Sequence, residues 1–79
     1  MIGVRVRLTF PENLVREPYM ARLTSDHGVV PNIRKADVDD HSGWIVCELD
    51  GNGASIDGAL AWLRAEGVQV DLLGDVVES

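Results

Sequence analysis

The sequence contains three His or Cys side chains, the types that most often ligate transition metals. They are the two histidines, His27 and His41, and the single cysteine, Cys47. A protein metal site needs about three or four converging ligands, and closely spaced residues usually supply at least two of them. No His or Cys pair is close in this sequence, so we predict that the protein binds no metal and carries no cofactor.

Cys47 is the one candidate nucleophile, and a nucleophilic cysteine needs a low pKa and an exposed position. It stands between Val46 and Glu48 in a segment that alternates apolar and other residues. That position predicts a core cysteine, which packs as a small apolar side chain. We therefore expect no catalytic residue in this chain and a protein that is not an enzyme.

Two loops resemble ligand-binding loops only in part. An acidic cluster is formed by Asp37, Asp39, Asp40 and His41. Its spacing is not that of an EF-hand, and no bidentate Glu follows at the required distance. The segment Gly51-Asn52-Gly53 precedes a predicted helix, but it lacks the glycine spacing and the Lys of a phosphate loop. We interpret both segments as turns.

Asn32 and Trp44 are the positions at which the sequence favours a binding role. Asn32 lies beside Pro31 in a largely apolar segment, although Asn is depleted in strands. Its side chain either caps the local backbone or presents a donor and an acceptor to a ligand. Trp44 and Val46 are predicted on an uncovered sheet face, where an apolar patch is typical of a partner surface. We predict Trp44 and Val46 as interface residues.

Length and charge limit what the protein can bind. The 79 residues with net charge −6 indicate one acidic domain, which would repel the phosphates of nucleic acids. No apolar run reaches the roughly 18 residues of a membrane helix, and the N-terminus lacks the apolar stretch of a secretory signal. We expect a cytoplasmic protein without nucleic-acid partners or membrane insertion. A domain this small buries only about 60% of its surface, so a second subunit would stabilise it.

Alternation and turn residues predict six elements in the order strand, helix, strand, strand, helix, strand. They are a strand over 4–10, a helix over 18–27, strands over about 29–39 and 44–50, a helix between Ser55 and Gly67, and a strand over 68–72. Pro18 suits a first helical position, Ser55 a helix N-cap, and Gly28 and Gly67 the left-handed helix ends. Pro31 indicates an edge strand, a bulge or a late strand start.

This order predicts an α+β, ferredoxin-like βαββαβ fold, in which two right-handed halves form a four-stranded antiparallel sheet with both helices on one face. We expect a core over about 3–74 and an acidic tail over 75–79. A buried Glu48 would be costly, so the Ile45 side of the third strand should point inward. The uncovered face should then carry an apolar and charged mixture: Trp44, Val46, Leu73, Arg5, Arg7 and Asp71.

The order and spacing of short segments along residues 3–74 resemble the NIL domain, the regulatory C-terminal domain of methionine-importing ABC transporter ATPases. The matching segments are VRLTFP at 6–11, Glu17-Pro18, Leu23, Asn32-Ile33, Gly43, Glu48 to Gly51, ALAWLRAEGV at 59–68, and Val70. The resemblance implies an ACT-like, ferredoxin-type fold, a homodimer and a methionine site. The chain has neither a Walker A sequence nor ferredoxin cysteine spacing, so we expect a stand-alone domain that signals to a separate output protein.

The family is named for an Asn-Ile-Leu triplet, which Asn32 and Ile33 match and Arg34 does not. The resemblance therefore implies Asn32, Ile33 and Arg34 as ligand-binding residues. Arg34 either favours a carboxylate or a more acidic ligand, or faces solvent. Three hypotheses follow: a sensor of methionine or a related amino acid at a homodimer interface, an interaction module linked to sulfur or methionine metabolism, and an acylphosphatase. The last would need phosphate-cradling glycines around Arg16, and there are none.

Overall fold

The computed structural model describes residues 2–77, with side chains described as far as Gly74. Its elements are β1 (Ile2–Phe10), α1 (Tyr19–His27), β2 (Val30–Val38), β3 (Gly43–Gly51), α2 (Gly53–Glu66) and β4 (Gln69–Val77). This order confirms the predicted α+β, ferredoxin-like fold, in which the helices pack on one face of a four-stranded antiparallel sheet.

The strands lie in the order β2-β3-β1-β4, so β1 and β3 are central and β2 and β4 are the outer strands. Of the three alternatives that Pro31 left open, the structure shows the edge strand, because Pro31 lies in the outer strand β2. An outer strand accommodates proline because one side of its backbone needs no ladder hydrogen bond.

The core lies between the sheet and the two helices, where β1 and β3 point every second side chain. Val6, Leu8, Cys47 and Leu49 are fully buried there. The inward orientation of the Ile45 side of β3 is confirmed, and so is the prediction of Cys47 as a core residue. From the helices, the buried residues are Tyr19 and Leu23 of α1 and Ile56, Ala59, Leu60 and Leu63 of α2.

The helix ends follow the glycines of the sequence. Gly28 (φ 67°) and Gly67 (φ 100°) end α1 and α2 in the left-handed conformation, as predicted. The N-terminal predictions were wrong by a few residues. Pro18 precedes α1 as its N-cap instead of opening it, and α2 is capped by Asn52, whose side chain accepts a hydrogen bond from the backbone N–H of Ser55. Neither described helix is long and apolar enough to cross a membrane.

The last strand is longer than expected. β4 runs to Val77, and the backbone of Gly74 to Val77 pairs with β1 from Arg5 to Ile2. The prediction of a tail that begins at residue 75 was therefore wrong for 75–77, while 78–79 lie outside the described residues. The alternation that indicated this strand is broken at Leu73, where the register between β4 and β1 shifts by one residue.

Candidate functional site

The open face is the side of the sheet that lies opposite the helices, and no described element covers it. The strand register arranges its side chains in rows across the sheet. From β2 to β4 the rows are Asn32, Glu48, Arg5 and Gly74; then Lys35, Val46, Arg7 and Asp71; then Asp37, Trp44, Thr9 and Gln69. The predicted mixture of apolar and charged side chains is present on this face.

An irregularity in β2 adds a second cation to the open face. The register between β2 and β3 shifts between Ile33 and Lys35, so Arg34 is an extra residue without its own partner in β3. A bulge of this kind re-aims the side chains beside it. Arg34 and Lys35 consequently lie together along one open groove, whose other lining residues are Arg5, Val46 and Leu73.

The groove concentrates positive charge in an acidic protein. Three of its lining residues, Arg5, Arg34 and Lys35, are basic, and none of the described lining residues is acidic, although the open face as a whole also carries Asp37, Glu48, Asp50 and Asp71. A local excess of one sign of charge attracts ligands of the opposite sign even when the net charge of the protein is the same as theirs.

Glu48 is an acidic residue that pairs with one of these cations. It lies on the open face, yet its side chain is only 8% exposed, and its Oε1 is 4.0 Å from Nη2 of Arg34. Arg5 of β1 and Asn32 of β2 are its neighbours across the sheet. The sequence predicted correctly that Glu48 points away from the core, but it gave no signal that neighbouring side chains would bury it.

Asn32 is exposed, and its side chain joins two strands. Its Nδ2 donates a hydrogen bond to Oδ2 of Asp50 on β3 at 2.9 Å. Ile33 pairs with Cys47, so it points to the helix side of the sheet, where it is 53% exposed. The structure thus brings Asn32 and Arg34 to the same face and places the side chain of Ile33 on the opposite one.

Trp44 and Val46 are both half-buried on the open face. The Arg7 guanidinium lies over the Trp44 ring, 4.8 Å from its centroid. Such a cation–π contact stabilises the cation over the ring by about 0.5–1 kcal/mol at an exposed site. The apolar part of the open face therefore continues directly into its basic part.

The cysteine and the two histidines do not lie on the open face. Burial raises the pKa of the Cys47 thiol to about 11, which keeps it protonated at neutral pH. His27 packs against Trp62, with ring centroids 4.7 Å apart, and His41 lies 3.3 Å from a carboxylate oxygen of Glu12. Among the described residues, no three His, Cys, Asp or Glu side chains are grouped as metal ligands.

Of the acidic cluster, Asp39, Asp40 and His41 form the predicted turn, and Asp37 lies in β2. One carboxylate oxygen of Asp39 accepts hydrogen bonds from the backbone N–H groups of His41 and Ser42, at 2.7 and 2.9 Å. These bonds to the charged form lower the pKa of Asp39. The cluster therefore shapes the β2–β3 connection, and Asp40 pairs with the exposed Arg16 of the first loop at 3.6 Å.

Comparison with known proteins supports one family. The sequence matches the NIL domain over residues 4–72. The fold is similar to the crystal structure of the C-terminal domain of an ABC transporter ATP-binding protein from Enterococcus faecalis, with a TM-score of 0.79 and 22% sequence identity. That match covers 91% of this chain and 84% of the other. No curated protein matches the sequence.

Proposed function

Because the chain belongs to the NIL domain family, we propose that it is a cytoplasmic regulatory module that senses methionine or a related amino acid. The family match covers nearly the whole chain, and the similar solved structure is a domain of an ABC transporter ATP-binding protein. In this proposal the chain regulates by binding and uses no catalytic group of its own.

The observation that carries the proposal is the position of Asn32 and Arg34 on the uncovered open face. Asn32 presents an amide and Arg34 a guanidinium, and Val46 with Leu73 supplies an apolar surface between the cations. An amino acid offers matching groups, because its carboxylate suits a guanidinium and its side chain suits an apolar wall.

The same face suits a homodimer. Trp44 and Val46 are half-buried apolar residues beside the groove, and a second copy would remove them from water. A ligand held between two copies would stabilise one arrangement of the dimer over others, because a ligand shifts a conformational equilibrium by its difference in affinity for the two states.

The experiment is a thermal unfolding series of the purified protein with methionine, homocysteine, cysteine and S-adenosylmethionine. A ligand at 100 times its dissociation constant stabilises the native state by about 2.7 kcal/mol, which raises the Tm of a domain of this size by about 10 °C or more. We expect Arg34→Gln to reduce that shift and Arg16→Gln to preserve it, because the Arg16 ion pair lies in an exposed loop. No shift with any of the four compounds would refute the sensor proposal.

A second candidate function is a protein-interaction module that binds no metabolite. Trp44, Val46 and the 51% exposed Leu73 favour it, because exposed apolar residues that adjoin one another are typical of partner surfaces. The unfolding series separates the two functions, since an interaction module would keep the same Tm with every compound.

A further inference from the structure

The cations that line the groove on the open face carry an inference about the ligand's charge. Three of the five lining residues are basic: Arg5, Arg34 and Lys35. Arg34 has Glu48 as an ion-pair partner at 4.0 Å. Among the described residues, Arg5 and Lys35 are in no ion pair. One acidic side chain thus faces three basic ones, which leaves the groove with an excess of positive charge.

The other acidic residues of the open face do not cancel this excess. Asp50 accepts the hydrogen bond of Asn32, and Asp71 accepts one from Gln69 at 3.0 Å. Asp37 lies opposite Trp44, two residues beyond Lys35. None of these three aspartates lines the groove, so the excess of positive charge is local to it.

Resting on the proposed function, we propose that the groove selects a ligand of net negative charge. Among methionine and its relatives, the groove favours a carboxylate with a short apolar chain whose amino group is uncharged, such as an N-acylated amino acid, over the free amino acid. Its carboxylate lies between Arg5, Arg34 and Lys35, and its chain lies on Val46 and Leu73. A free ammonium would enter the same basic groove and be repelled by it, because like charges a few ångströms apart oppose binding.

The bulge in β2 is what brings the cations of the groove together. Regular alternation would point Arg34 and Lys35 to opposite faces of the sheet. The extra residue brings both side chains to the groove. Lys35 therefore belongs to the anion site although no sequence motif includes it, and it serves as the test position.

The test uses three compounds with the same thioether side chain: N-acetyl-L-methionine (net charge −1), L-methionine (0) and L-methionine amide (+1). Affinities for the purified protein are measured by titration calorimetry at low salt. We expect each added positive charge to weaken binding about tenfold, and the preference for the anion to decrease as salt screens the charges. Lys35→Gln should weaken N-acetylmethionine about tenfold, whereas Arg16→Gln, which removes the same charge from a loop, should leave its affinity unchanged.

The outcomes separate this inference from the proposed function. L-Methionine binding as tightly as N-acetyl-L-methionine would overturn the inference and leave the sensor proposal intact. The same holds if Arg34→Gln weakens binding and Lys35→Gln does not. If none of the three compounds, homocysteine, cysteine or S-adenosylmethionine binds, both proposals fail.

Discussion

The N-terminus of α2 offers a test of which residue begins the helix. Oδ1 of Asn52 accepts a hydrogen bond of 2.7 Å from the backbone N–H of Ser55, and Asn52 has the extended backbone of an N-cap, at φ −81° and ψ 160°. Asn52→Ala removes this acceptor from an end of the helix that has no acidic residue in its first turn. Loss of such a cap costs about 1 kcal/mol, within a range of about 0.5–2 kcal/mol.

Thermal and urea unfolding followed by far-UV circular dichroism measure the effect. A loss of about 1 kcal/mol lowers the Tm of a domain of 60–100 residues by roughly 4–8 °C, and it lowers the urea midpoint at constant m-value. Asn52→Asp should retain full stability, because a carboxylate accepts the same bond and interacts favourably with the helix dipole.

Ser55→Ala is the matched control, because Ser55 contributes its backbone N–H to the cap. The alanine keeps that donor and is a better helix former than serine, so we expect stability within about 0.5 kcal/mol of the parent protein. If Ser55→Ala lost about 1 kcal/mol and Asn52→Ala lost nothing, the assignment of Asn52 as the cap would be refuted.

Two further predictions concern glycine and cysteine positions. Gly58→Ala should stabilise the protein by about 0.5–1 kcal/mol, because Gly58 lies within α2 and an added Cβ meets nothing within 4 Å. Gly67→Ala should destabilise it by about 1–2 kcal/mol, because Gly67 has φ +100°; equal signs for the two variants in chemical unfolding would contradict this. At pH 8 the native Cys47 thiol should react with iodoacetamide at least about 100-fold more slowly than the thiol of the protein in denaturant, because only the thiolate reacts and burial raises its pKa from 9.0 to about 11. Similar rates in the two states would show that Cys47 is accessible and ionised.

Local signals in the sequence were enough to predict the fold. The alternation of β1 follows from burial of one face, and Gly28 and Gly67 end the helices because each position requires a left-handed backbone. Pro31 limited its strand to an edge position, a bulge or a late start, and β2 is an outer strand. These features depend on a residue and its near neighbours, which is the information that a sequence contains directly.

The candidate site was predicted less completely, because it depends on pairing between distant strands. Nothing near Arg34 indicates a bulge, since the register shift becomes defined only when β2 pairs with β3. Lys35 was therefore missed as a groove residue. The burial of Glu48 was missed for the same reason, because its covering neighbours come from β1 and β2. The ligand role of Asn32 stays a prediction, and its hydrogen bond to Asp50 was not foreseen.

The two register shifts also have a consequence for how the protein behaves at high concentration. Each outer strand carries one extra residue, at Arg34 in β2 and at Leu73 in β4. A straight strand from another molecule would find its hydrogen-bonding groups out of phase along either edge, and bulges of this kind discourage fibril growth by edge-to-edge addition. We therefore expect a small domain with half-exposed leucines and valines at its edges to resist amyloid nucleation better than its composition would indicate.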